Sequence, residues 1–461
     1  MFNRLSLLFV IALIVFFAGC FSPYEGGTGV FTINFGGSTS RAAYPPDIPP
    51  DYNNPGHPQV SELNFIVTFS RQNGSFVKEF NSVGDDKITG TIEIGNYIVS
   101  VKIYLLSSGT LYAQGSTSYA VKAGNNNIAV QINAFHTVWL DDGSGFIGYG
   151  ELIDALDVIT GNGSYTIKIS ANQMLAPYSF PSFSSTSDIT LEADSNSVTV
   201  ELSPINGSLF TVESNLTLIL GSGVILKGRM DNDSPLIKVN SGGQLIMNYG
   251  SIITGNNNTS ANGGAVYIYG GDFTMNDGAV ISGNKAYMGS GAVSVGFNGT
   301  FTMEGGVISG NKAYSGGGVT VGDGYNGSFI MKNNAVISGN AAEYDGGGLV
   351  IQNGTFTIEG GTISGNIAGE RGGGIYLSNA ATFVMEGGII TGNTAGAYGG
   401  GVHVTSPSIG GNTTFIIQSP AVNSDINGNT DSDNVTPNVY LGEHNGQLNY
   451  TTNPTIGLIG W

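Results

Sequence analysis

Several things are scarce in this sequence, and each shortage removes a class of protein. A single cysteine stands among 461 residues, so no disulfide can form within the chain and stability must come from core and hydrogen bonds. Charged residues are only 10% of the total, well under the usual share, which argues against a helix-rich protein with an ion-paired surface. Positive charge is scarcest: 15 Lys and Arg face 33 Asp and Glu, for a formal net charge of -18. That field repels a phosphate backbone, so nucleic acid is not an expected partner, and unspecific attraction to anionic lipid is equally disfavoured. Glycine, by contrast, is abundant at 73 residues, and 40% of the chain is hydrophobic. Enough apolar material for a core, punctuated by that much glycine, points to turn-rich β structure.

The amino terminus reads MFNRLSLLFVIALIVFFAGC. Arg4 precedes an uncharged run from Leu5 to Ala18, too short for the roughly 20 residues that span a bilayer and ending in small residues. Residues 1–19 are therefore expected to be a signal peptide. Phe17-Ala18-Gly19-Cys20 resembles the bacterial lipobox, although Leu is commoner at its first position. That resemblance implies cleavage before Cys20 and lipidation of its thiol, with several acyl chains holding the protein at a membrane where one would be marginal. Residues 20–27 would be the tether, and the expected location is the cell envelope, at the outer membrane and surface-exposed. The alternative is a plain secretory signal with an incidental cysteine.

Residues 28–135 carry short alternating segments, among them GVFTINF, SELNFIVTF, DKITGTIEI and NYIVSVKIYL, separated by Gly, Asn and Ser turns. Strands at that spacing predict a small β-sandwich. The spacing of GNYIVSVKIY, YAQGS and VKAGNNNIAVQI resembles immunoglobulin-like or carboxypeptidase-regulatory-like modules. The proline-rich stretch 44–58 is expected to be a long loop between the first two strands. Within 136–159, IGYGELIDALDV at 147–158 has apolar residues at helical spacing and predicts a helical cap on the array beyond it.

From 160 to 430 the chain is an array. Aliphatic pairs recur at Val266/Ile268, Val293/Val295, Val319/Val321, Leu349/Ile351, Ile375/Leu377 and Val402/Val404, with first members 27, 26, 30, 26 and 27 residues apart. A second strand recurs at Phe273, Phe301, Phe329, Phe356, Phe383 and Phe415, and a third at Ile253, Ile281, Ile308, Ile337, Ile363 and Ile390. Three short strands per period cannot fold alone, but stacked periods bury their inward residues against their copies. The predicted fold is all-β: a right-handed parallel β-helix of one coil per roughly 27 residues, each adding about 4.8 Å of length, behind the sandwich. Residues 431–461 are expected to form an irregular last coil or cap.

The Gly-Gly-small-aliphatic string followed by Phe-x-Met/Ile and Ser/Thr-Gly-Asn resembles the β-helix repeats of bacterial surface proteins, including polymorphic outer membrane protein repeats with their GGAI and FxxN elements. The resemblance is good over about 250–420 and loose over 160–250. It departs where FTMEGG and FTIEGG carry Glu in place of the Asn of FxxN, so only Phe273-Thr274-Met275-Asn276 matches that element literally. It implies a surface-exposed, adhesive protein and lends no catalytic residue.

Against that scaffold the chemistry-bearing residues are weighed. Asn256, Asn284, Asn311, Asn340, Asn366 and Asn393 fall at one corner of successive coils and are expected to stack as a structural amide ladder. Asn276, Glu304, Lys332, Glu359 and Glu386 form an outward row with a Glu304-Lys332-Glu359 ladder, and no metal site is expected there because a calcium column needs converging oxygens. The dense charged run Lys227 to Asp233 is either a surface loop or, in a carbohydrate-active enzyme, the place for Arg229 and Asp231 to act. His403 shares an outward row with Tyr267, Ser294, Thr320, Val350 and Tyr376 and reads as incidental. Tyr287, Tyr314, Tyr344 and Tyr398, interrupted by Glu370-Arg371, occupy the variable corner after each asparagine. Flat amphipathic rings one rung apart suit a sugar or a protein partner. The expected function is adhesion or glycan and protein binding, with no cofactor, no metal and no catalytic residue assigned; the alternatives are a polysaccharide lyase or glycosidase, and a passive surface coat.

Overall fold

The computed structural model describes residues 28–34, 63–71, 75–83, 87–105, 111–128, 133–134, 137–194, 196–260, 263–324, 326–405, 413–417, 425–432, 438–441 and 447–450. Cys20, the expected signal segment 1–19 and tether 20–27, and the proline-rich stretch 44–58 with its expected loop lie outside them. The chain divides into two units, residues 1–136 and 137–461.

In the first unit two sheets face one another across a shared core. One sheet has the order Lys87–Glu93, Thr28–Asn34, Gly124–Asn127; the other runs Phe76–Val83, Leu63–Arg71, Gly95–Leu105, Leu111–Val121, Asn133–Ala134. Alternation delivers Phe31, Ile33, Ile88 and Ile92 from the first and Phe65, Val67, Phe69, Val99 and Val101 from the second to the same buried cluster. Phe31 and Phe69 meet there with ring centroids 4.7 Å apart. The first strand pairs with Lys87–Glu93 and Gly124–Asn127 rather than with its successor in sequence.

The second unit is a parallel β-solenoid. Three long sheets of 13, 10 and 10 strands, with a six-stranded strip at one corner, are built by strands that pair in register with their counterparts one coil on. Phe301, for example, sits between Phe273 and Phe329, and Ile308 between Ile281 and Ile337. Strict register is required because a slip of one residue would turn every inward side chain outward. The inward phenylalanines form one continuous stack: centroids of Phe273, Phe301, Phe329, Phe356, Phe383 and Phe415 are separated by 4.7, 4.6, 4.8, 5.1 and 4.8 Å, with planes within 17° of parallel.

The start of the solenoid differs from the helical cap expected over 147–158. Phe146–Tyr149 is a strand, and with Val138–Asp141 it forms an antiparallel hairpin whose Val138–Asp141 arm pairs with Ser164–Ile169. Within 147–158 only Leu152–Asp157 is helical. Gly148 and Gly150 break the helical pattern, and so short a helix holds only by packing. Leu152, Ala155 and Leu156 supply that packing, buried in the same core as Val138 and Leu140. At the other end the expected irregular tail still contributes strands, Val439–Leu441 and Gln447–Tyr450, to two of the long sheets.

Candidate functional site

The six-stranded strip lies between the asparagine corner and the third long sheet, and the asparagines explain how it is held. In the central coils each one makes the same bonds. The backbone N–H and Nδ2 of Asn340 both donate to Oδ1 of Asn366 at 3.0 Å, while its Nδ2 also donates to the Ile308 carbonyl of the previous coil at 3.0 Å. Its own Oδ1 accepts from the N–H and Nδ2 of Asn311, each at 3.0 Å. Each side chain thus ties together three coils at a fully buried position. The ladder is longer than the sequence pattern suggested. Asn429 accepts from Asn393 and donates onward to Asn438, and at the other end Asn232 donates to Asn256.

That last bond gives Asn232, within the charged run 227–233, a structural place. Lys227 pairs with Glu201 at 3.0 Å, Arg229 with Asp231 at 2.7 Å, and Asn232 is a buried rung. In the outer row, Lys332 bonds Glu304 at 2.9 Å, and this bond holds its ammonium above the usual lysine range. Glu359 adds only a longer-range attraction.

After each asparagine two strip residues lead into the variable corner, and then a glycine run turns the backbone into the third sheet. Two glycines do separate work. Gly346 adopts φ +67, open to glycine at no steric cost, and its position lays the loop against Leu349 and Val350. Gly347 has ordinary φ, but a Cβ there would lie 2.5 Å from the Gly373 carbonyl oxygen of the next coil.

This fold-back changes the role of the row that holds His403. Ser294, Thr320, Val350, Tyr376 and His403 do point away from the coil interior, yet they are buried beneath the glycine loops. A second, polar layer therefore lies under the corner. Asp323 accepts a hydrogen bond from Ser294 at 2.9 Å. Arg371 makes a two-pronged bond to Asp345, Nε to Oδ1 and Nη2 to Oδ2, both 2.9 Å. Its guanidinium lies 5.1 Å from the centre of the Tyr376 ring, which in turn stacks on His403 at 5.5 Å and 20°. Burial pushes the Asp345 carboxyl above its usual range despite its partner. Burial, reinforced by the Arg371 charge, lowers His403 to about 3.

His403 thus stays neutral in the folded protein while an unfolded histidine protonates near 6.5. Stability is undiminished above that pH and falls as the pH drops from 6.5 toward about 3, by roughly 1.4 kcal/mol per pH unit at the steepest. Urea unfolding followed at pH 7, 5 and 4 should show this slope reduced in His403→Phe; an equal slope in both proteins would mean that this histidine is not the group responsible.

Above the polar layer sit the tyrosines. Tyr287, Tyr314, Tyr344 and Tyr398 are 66, 45, 40 and 43% exposed, and Met288 joins them at 55%. They do not form one uniform column. Tyr314 and Tyr344 pack ring on ring in a tilted pair, with centroids 4.3 Å apart at 30°, and their hydrogen bond is the first reason that the Tyr314 phenol is raised above its normal range. Backbone bonds align Glu370 with Tyr344, whereas Tyr398 pairs in register with Arg371. Tyr398 leans toward His403 at 6.4 Å. The break in the series is thus filled by Glu370 in the tyrosine column and by Arg371 in the layer beneath it.

Compared with known proteins, the chain matches no family model, no curated protein and no solved structure. The role of the corner accordingly rests on its own geometry. Among the described residues no group of three or more His, Cys, Asp or Glu could hold a metal ion, and no helix is long and apolar enough to cross a membrane.

Proposed function

We propose that this is a lipid-anchored envelope protein, held through Cys20 at the outer membrane and displayed on the cell surface, whose solenoid presents the tyrosine corner for adhesion to a glycan or protein ligand. The anchor rests on the lipobox-like Phe17-Ala18-Gly19-Cys20 alone, and the binding role on one observation. Over the coils from 284 to 398, large side chains that a soluble β-solenoid would ordinarily bury are exposed repeatedly at one corner, Tyr287, Met288, Tyr314, Tyr344 and Tyr398. An amphipathic aromatic edge of this kind is a recognition surface by composition. The packed Tyr314/Tyr344 pair supplies a platform that loses little side-chain entropy on binding. The charged run that a carbohydrate-active enzyme would use holds Arg229 ion-paired with the exposed Asp231 and Asn232 as a buried ladder rung.

The test uses the full chain on a panel of glycans and surface proteins. A folded Tyr287→Ala/Tyr314→Ala/Tyr344→Ala variant should lose on the order of tenfold or more in affinity for any ligand found, as removal of central aromatic anchors does. Retention of that ligand without loss would remove the reading. In the same preparation Cys20→Ala should leave the detergent phase; if it partitions like the parent, the anchor is wrong.

A further inference from the structure

The tyrosine corner is flanked by an unbalanced pair of cations. Lys285 and Lys312 are direct partners on adjacent strands of the corner strip, both exposed, and each stands two residues before an exposed tyrosine, Tyr287 and Tyr314. From residue 251 onward the sequence holds only two other basic residues, Lys332 and Arg371. Both of those are ion-paired, with Glu304 and Asp345. Lys285 and Lys312 have no ion-pair partner among the described residues.

Like charges set directly opposite one another on neighbouring strands are unfavourable. A chain of formal charge -18 has ample carboxylates with which to compensate them, yet none of the described ones is ion-paired to either lysine. Two ammonium groups on strands about 4.8 Å apart, beside a row of aromatic rings, match a ligand that repeats negative charge along its length and presents flat faces between the charges. Screening confines the repulsion of the remaining carboxylates to within about 10 Å, so a bound chain feels the two lysines at one end of the edge and Glu343 and Glu370 at the other. The carboxylate felt at Tyr314 is Glu343, one coil further along the edge.

We propose that the edge Lys285–Tyr287–Lys312–Tyr314–Tyr344 is a binding site for a linear anionic glycan, its sulfate or carboxylate groups lying on the two lysines and its rings against the tyrosines. This inference rests on the tyrosine corner being a recognition surface and adds the class of ligand. An acidic protein segment is the competing occupant; the tyrosine rings, the unpaired cations and the uniform rise favour a repeating sugar chain.

The probes are heparin for sulfate, polygalacturonate for carboxylate, dextran as the neutral polymer and polyglutamate as the acidic peptide, each immobilised and offered to the full chain. Retention is expected on one or both anionic glycans, weakening from low to physiological salt. Lys285→Gln/Lys312→Gln should reduce it by about tenfold, the worth of two exposed charge contacts, with the fold unchanged. Glu343→Gln should strengthen it. Polyglutamate bound as tightly as either glycan would overturn the proposal in favour of an acidic protein. If the lysine variant binds like the parent while the triple tyrosine variant does not, the anionic class is wrong and the corner stands. If neither variant changes retention, both readings fall.

Discussion

Asn340→Ala should destabilise the solenoid by roughly 2–6 kcal/mol, because it orphans at least two buried groups at about 1–3 kcal/mol each. The groups are identifiable. The Ile308 carbonyl loses the Asn340 Nδ2 donor and the Asn311 N–H loses its acceptor, whereas Asn366 Oδ1 keeps the backbone N–H of residue 340 and Asn311 Nδ2 keeps the Ile281 and Ser309 carbonyls. The damage should be local, since coils couple only to their neighbours. Hydrogen exchange should therefore show lost protection across the strands that flank 311 and 366 before it shows at Ser164–Ile169. Asn340→Asp offers a sharper control. A carboxylate still accepts from Asn311 but sets oxygen against oxygen at Ile308 and Asn366, so its carboxyl must be raised and the variant must grow more stable as the pH falls. Denaturation by urea at pH 7 and 4 reads this directly. A loss under about 1 kcal/mol for Asn340→Ala, with no reversal of pH dependence for Asn340→Asp, would make the ladder ornamental.

The second large effect is expected inside. Phe329→Ala removes a ring held between Phe301 at 4.6 Å and Phe356 at 4.8 Å, and it should cost about 3–5 kcal/mol. Coils above and below are fixed by their own ladder bonds, so the space cannot collapse and the cost should fall at the upper end. Phe329→Leu should recover most of it. A double-mutant cycle in thermal or chemical unfolding makes the stack itself the object: Phe301→Ala with Phe329→Ala should be non-additive, whereas Phe273→Ala with Phe415→Ala should sum within about 0.5 kcal/mol. Additivity for the adjacent pair would show that the rings contribute as separate apolar surfaces.

These two columns were also the most legible parts of the sequence, for a common reason. A phenylalanine stacked on a phenylalanine and a buried amide bonded to an amide favour their own kind, so the same letter returns through six successive coils, with Leu245 and Leu448 continuing the phenylalanine column at either end. The outer rows tolerate many letters and carry weaker signals. The ladder's ends escaped notice because Asn232 lies within a charged run and Asn429 follows Ile-Asn-Gly rather than Ile-Ser-Gly. Burial of the row from Ser294 to His403 could not be read from alternation at all. Alternation places those side chains outward, as they are, but what covers them is backbone, folded over by glycines such as Gly346 and Gly399 at positive φ. The Asp345–Arg371 pair was within reach: the two residues occupy equivalent positions 26 residues apart, each just ahead of its glycine run. The tyrosine series, read as one stripe, resolves into a packed pair with single members on either side.

The identical bonding of each asparagine has a consequence for how such a chain can change its size. Asn311, Asn340 and Asn366 all donate to the next coil's Oδ1 and offer the previous coil the same Oδ1 acceptor, and the phenylalanines stack with both faces alike. A whole period can then be deleted or duplicated without leaving a mismatched surface, whereas a change of a few residues is tolerated only at a corner, as in the 30-residue step from Val319 to Leu349. Length is thereby decoupled from foldability, and descent by gain and loss of entire coils would alter how far the corner extends while leaving its local architecture untouched.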